Sequence, residues 1–256
     1  MRIVPVAVVL IVIWSASSFA QTLRIAAAAD LQQALPELVK AFRTKRPAVR
    51  IEAVYGSSGN FTTQIEQGAP YDVFFSADMR YPERLSASGL TTMLPRRYAL
   101  GQLVVWAANS SRNALSAEVE ARGIEALSEP HARRIAIANP AHAPYGERAK
   151  EALEASNLWR SVQKRLVLAE NVAQAAQFAE SVNADAALIS LSLALTPTMQ
   201  KAGKYALIDP KIHKPLQQGV VVLKRSVVRG LAEGFVRFVC SPEGALVLAR
   251  YGFIAF

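Results

Sequence analysis

The chain has a single cysteine, Cys240, which excludes an intrachain disulfide and any cysteine-rich metal site. It lies in the apolar helical run "FVRFVCSPEG" and is expected to behave as a small buried hydrophobe. Histidine is almost as scarce. His131, His142 and His213 are far apart in proline-containing loops, without the spacing of metal ligands, so no cation site is expected and His142 is read as a solvated loop residue. Despite a net charge of +9, the cations come in scattered pairs at element ends, such as Arg96–Arg97 and Arg133–Arg134, with no basic stripe interleaved with aromatics. Nucleic acid is therefore not the expected partner. The stretch "YGSSGN" at residues 55–60 reads G-x-S-G rather than the G-x-S-x-G of a nucleophile elbow, and no G-K-[ST] follows it to make a phosphate loop.

Beyond the first twenty residues no run of 18 apolar residues occurs, so a spanning helix is not expected there. Residues 1–20, "MRIVPVAVVLIVIWSASSFA", combine Arg2, an apolar stretch from Ile3 to Trp14 and small residues at Ser18 and Ala20. That pattern predicts a secretory signal cleaved before Gln21 and an extracytoplasmic mature protein. The rest is globular in composition: 256 residues, 52% hydrophobic and 19% charged, enough to bury one large core or two smaller ones.

Periodicity alternates between strand and helix. "TLRIAAAA" leads into a helix with Leu31, Leu35, Leu38, Val39 and Phe42 on one face; "VRIEAVY", "YDVFFSAD", "QLVVWAAN", "RRIAIANP", "KRLVLAE", "AALISLS" and "GVVVLKR" read as further strands, and residues 226–253 as one closing helical stretch. The alternation predicts an α/β fold of two units, each a mostly parallel sheet flanked by helices. Ligands in such folds sit beyond the carboxyl ends of strands. The junctions to watch are Ala29–Asp30, Gly56–Asn60, Pro144–Gly146 and Asn171–Val172, each opening a helix whose first amides lack partners. Several such termini meeting at one point would hold an anion without a lysine or arginine.

The runs "LRIAAAADLQQALPEL", "YGSSGNFTTQIEQGAPYDVFFSAD", "IAIANPAHAPYGERAKEAL", "LAENVAQAA" and "SPEGALVLARYGF" together resemble the periplasmic molybdate-binding proteins of ABC transporters, from about Leu23 to Phe253. The resemblance implies a two-lobed periplasmic binding protein of type II: residues 1–20 the signal peptide, 21–100 with 223–256 the first lobe and 101–222 the second. It implies no enzymatic activity and no cofactor. The ligand would be molybdate or tungstate, the partner a membrane permease, and the protein a monomer. The family's oxyanion contacts fall here on Ala29–Asp30, on Ser58 through its hydroxyl and amide, and on the backbone at Tyr145 and Val172. Some members add a tyrosine hydroxyl where this chain has Ser190, which shortens or removes that contact. Asp30 departs from the Ser or Asn usual in the family, and a carboxylate beside a dianion is repulsive. Three readings stand open: an N-cap turned onto its own helix, an acceptor for a protonated oxyanion, or a protonated donor to the ligand. The alternatives to molybdate capture are another oxyanion, sulfate-like or phosphate-like, and an exported hydrolase using Ser57 or Ser58. Tyr55 is expected either to wall the cleft or to pack as an ordinary strand aromatic, and Asp72 and Asp78 to fix turns.

Overall fold

The computed structural model describes residues 21–109 and 114–255; the signal segment expected over residues 1–20 lies outside them. In chain order the elements begin with β1 (Thr22–Ala28), a 3₁₀ turn at Ala29–Leu31, α1 (Ala34–Thr44), β2 (Arg50–Gly56), α2 (Ser58–Glu66), β3 (Val73–Ser76) and α3 (Arg80–Ala87). β4 (Arg96–Gly101) and β5 (Leu103–Ala108) follow with only Gln102 between them. Next come α4 (Leu115–Arg122), β6 (Ile135–Ala138), α5 (Pro144–Ala155), α6 (Trp159–Val162), β7 (Leu166–Ala169), α7 (Val172–Glu180), β8 (Ala186–Ser190), α8 (Leu191–Ala194), α9 (Pro197–Ala202) and β9 (Gly203–Leu207). β10 (Leu216–Val222), α10 (Arg229–Val239) and α11 (Pro242–Arg250) complete the chain.

Two five-stranded sheets result, in the orders β2-β1-β3-β10-β4 and β7-β6-β8-β5-β9. In each, four strands run one way and one is reversed: β10 is antiparallel to β3 and β4, and β5 is antiparallel to β8 and β9. The expected α/β, two-lobed architecture with mostly parallel sheets is what forms. The reversed strands are where the chain changes sheets, since β4 passes to β5 through one residue and β10 returns after β9. β10 hydrogen-bonds within the first sheet, so the return lies before Leu216, not after Val222 as the extent 101–222 implied. The continuous apolar run in "GVVVLKR" fits the interior of either sheet, and only pairing distinguishes them.

Each sheet is sandwiched by helices. Leu35, Leu38 and Phe42 of α1 pack with Phe235 of α10 and Phe75 of β3 on one face of the first sheet; Phe42 and Phe235 meet edge to face at 5.1 Å. α2 and α3 cover the other face through Phe61, Ile65 and Leu85 against Phe74. The second sheet buries Trp106, whose indole N–H donates to the Met199 carbonyl at 3.2 Å. The closing helical stretch is two helices rather than one. Ser241 ends the first and caps the second, its Oγ accepting from the Gly244 amide at 3.4 Å, and Pro242 stands at the first helical position where its missing N–H costs nothing. Cys240, at the end of α10, is half-buried beside that core rather than enclosed by it.

Candidate anion-binding site

β1, β2 and β3 of the first sheet and β6 and β7 of the second all end at the cleft between the sheets. Each end leads into a turn whose first residues enclose one small cavity: Ala28, Ala29, Gly56, Ser57, Ser58 and Ala77 from the first lobe, Ala143, Pro144, Tyr145, Asn171 and Val172 from the second. Three helices, α2, α5 and α7, start at this cavity with Ser58, Tyr145 and Val172 in their first turns, where amides have no carbonyl one turn back. Asn171 caps α7 by accepting from the amides of Ala173 and Gln174 at 3.0 and 3.1 Å, and so leaves the Val172 amide to the cavity. Ser58 is fully buried, and its Oγ accepts from the Ala77 amide at 3.0 Å. With that lone pair engaged, its O–H remains as a donor. No lysine or arginine lines the cavity, so its positive potential is that of backbone dipoles.

Ala29, Ser58, Tyr145 and Val172, four of the six residues singled out in the sequence, are thus brought together. Asp30 and Ser190 stand behind the wall. The Asp30 carboxyl is fully buried and turned to the first sheet, where Oδ2 accepts from Gln218 Nε2 at 2.8 Å. It does not cap α1, whose N-cap is Gln33 with no side-chain bond. Asp30 Oδ1 and the Tyr145 hydroxyl are both buried and face each other across the lobe boundary, without a hydrogen bond of ordinary geometry but near enough for the hydroxyl to favour the carboxylate weakly. Desolvation pushes the Asp30 pKa up to about 7, with Tyr145 and Gln218 pulling back more weakly. The same burial raises the Tyr145 hydroxyl well above its ordinary value. Gly101, at the crossing between lobes, admits this cluster: a Cβ there would collide with the Tyr145 hydroxyl and the Gln218 amide. Ser190 Oγ is bonded to Ser192 Oγ at 3.0 Å, and Ser192 Oγ donates to the Asp30 carbonyl at 2.7 Å, tying the second lobe to the first.

The lobes also meet on the opposite side of the cavity. The Gly59 amide donates to the His142 carbonyl at 2.9 Å, His142 Nδ1 lies 3.0 Å from Ser57 Oγ, and the Asn60 side-chain amide donates to Glu170. His142 is therefore an interlobe contact, not the solvated loop residue its sequence suggested; nothing in "NPAHAPYG" announces a partner 85 positions away. Arg80 bridges Asp78 of its own lobe, at 3.1 Å, and Glu147 of the other. Tyr55 lines a wider cleft of about 750 Å³ adjoining the cavity, together with Gln32, Gln33, Gln174 and Gln177. Asp72 holds the Arg24 amide at 2.7 Å and the Ser226 hydroxyl at 2.7 Å, a turn-fixing role.

The family model described as bacterial extracellular solute-binding protein matches residues 23–254. The chain belongs to that family. Among its relatives, the molybdate-binding protein ModA of Rhodobacter capsulatus is 29% identical over 230 residues, covering 90% of this chain and 86% of that one. ModA of Azotobacter vinelandii is 28% identical over 235 residues, with 91% and 90% covered. The solved structure of the Azotobacter vinelandii periplasmic molybdate-binding protein superposes with a TM-score of 0.83, over 91% of this chain and 99% of that one. The sulfate-binding protein SubI of Mycobacterium tuberculosis, 14% identical with a TM-score of 0.72, shares the fold. In this solute-binding family member, as in the geometry just described, the cleft between two lobes is the place for a small solute.

Proposed function

We propose that the chain is an extracytoplasmic receptor that captures a tetrahedral oxyanion, molybdate or its congener tungstate, between its lobes and delivers it to an ABC permease. One observation carries the reading: three helix amino termini and the Ser58 hydroxyl converge on one small cavity that no cationic side chain enters. Neutral donors at hydrogen-bonding distance bind a dianion through charge-assisted bonds while leaving it releasable. The names of the relatives in Rhodobacter capsulatus and Azotobacter vinelandii support molybdate as the solute. Within this reading Ala29, Ser58, Tyr145 and Val172 supply the contacts; among the described residues, 21–101 with the return strand and 223–255 form one lobe, and 103–215 the other. Export follows from cleavage after Ala20, the protein works as a monomer, and it catalyses no reaction.

Titration of the purified protein with molybdate, tungstate, sulfate and phosphate tests the proposal. Micromolar or tighter binding of molybdate or tungstate, with sulfate and phosphate much weaker, is the expected result. Failure of all four to bind, or turnover of an ester substrate, would overturn it.

A further inference from the structure

Ser57 is assigned no role by the reading above, yet it lines the same cavity as Ser58 and is almost as buried, at 4% exposure. Its Oγ already has two neighbours: the Asn60 amide at 3.4 Å, through the cap of α2, and His142 Nδ1 at 3.0 Å. A hydroxyl has one proton and two lone pairs, so the direction of the bond to His142 decides what Ser57 shows the cavity. If the imidazole accepted, the Ser57 proton would point at His142 and a lone pair would be left toward a dianion, a repulsive arrangement. If Nδ1 carries hydrogen and donates, both lone pairs of Ser57 are engaged from outside, and the O–H is the part left for the cavity. The other ring nitrogen, Nε2, lies 3.9 Å from the Glu170 carboxylate of its own lobe. Asn60, next along α2, holds the same Glu170 from the first lobe.

Ser57 belongs to the first lobe and His142 to the second, so this bond exists only when the lobes meet. Resting on the oxyanion-receptor reading, we propose that His142 is a positioning residue for anion capture: on closure its Nδ1–H donates to Ser57 Oγ and turns the Ser57 hydroxyl proton onto the anion. Ser57 is thereby a second hydroxyl donor beside Ser58, effective in the closed form and not in the open one. His142 does not touch the anion and acts through Ser57.

A double-mutant cycle in molybdate affinity tests this. His142→Ala and Ser57→Ala should each weaken binding by about tenfold, the value of one charge-assisted hydrogen bond, and the double variant should be no weaker than Ser57→Ala alone. His142→Asn, whose side-chain amide nitrogen can stand where Nδ1 stands and always donates, should bind within about threefold of the unaltered protein. Thermal midpoints without ligand verify that each variant is folded. Additive losses in the double variant, or His142→Asn binding as weakly as His142→Ala, would overturn the assignment while leaving molybdate binding by the unaltered protein intact. If the unaltered protein binds none of the four oxyanions, the receptor reading fails and this inference with it.

Discussion

Ser58 shows how a buried hydroxyl becomes a donor. One of its two lone pairs is engaged by the Ala77 amide, its proton is left to donate into the cavity, and the helix it opens adds the favourable end of a dipole. Ser58→Ala should weaken molybdate binding by about 1.5 to 3 kcal/mol, the range for a hydrogen bond to a charged group. Calorimetric titration would show this as a Kd raised by about ten- to a hundredfold, and an unchanged Kd would remove Ser58 from the site. Asp30 is the opposite case, an acid with too few partners. Its folded-state pKa of about 7 lies above the ordinary 3.8, so the folded form binds a proton that the unfolded chain releases between those values. Stability is therefore highest at the acidic end, falls as the pH rises from about 4 to about 7, and is level above. Asp30→Asn, which cannot ionise, should abolish this slope and be the more stable protein above about pH 7, by up to about 4 kcal/mol for a shift of this size. Denaturant titrations at several pH values would show it, and parallel profiles for the two proteins would refute it. The sequence marked Asp30 as anomalous in its place but not why it is tolerated, since Gln218 and Tyr145 lie 188 and 115 positions away.

Among the helices, α2 is set by contact at its first turn. A Cβ on Gly59 would lie 2.6 Å from the His142 carbonyl and 3.0 Å from its Cα, backbone atoms that cannot swing aside. Gly59→Ala should therefore hold the lobes apart rather than unfold either. A loss of about 1 to 3 kcal/mol is typical of overpacking a tight contact, here expected in anion affinity with little change in the midpoint of the unliganded protein. Unaltered affinity would show that closure does not need this approach. α10 makes a different kind of contact. Phe235 is fully buried and packs edge-on against Phe42 at 5.1 Å and Phe75 at 6.1 Å, so Phe235→Ala should destabilise the first lobe by about 3 to 5 kcal/mol. Chemical unfolding would register the loss. The apolar face of α1 was readable from spacing alone, because a 3.6-residue period records which side meets a core. The break at Ser241–Pro242 had its signals too, an N-cap serine and a proline at the first helical position, but both sat inside a continuous apolar rhythm.

The molecule as a whole is two sheets joined where the chain crosses at its two reversed strands, with cross-lobe bonds at His142 and at Ser192 near the anion cavity. A ligand that binds only the closed form shifts the population toward it by its differential affinity. Saturating molybdate should therefore raise the thermal midpoint as the logarithm of its concentration, worth about 2.7 kcal/mol at a hundred times Kd. Small-angle scattering should show a smaller radius of gyration on addition of molybdate if the free protein samples an open form. A midpoint insensitive to molybdate would mean that the cleft does not take it.

Local order was legible because it is written locally. Strand and helix rhythm predicted a two-unit α/β protein, and its strand-to-helix junctions, "GSSG" among them, placed ligand contacts at strand ends. Membership of β10 in the first sheet, the turning of Asp30 away from the cavity and the pairing of His142 with Ser57 needed the folded chain. Each depends on which atoms meet across long stretches of sequence. Hydrogen-bond partners, burial and the resulting charge of a side chain belong to those meetings, and no periodicity along the chain encodes them.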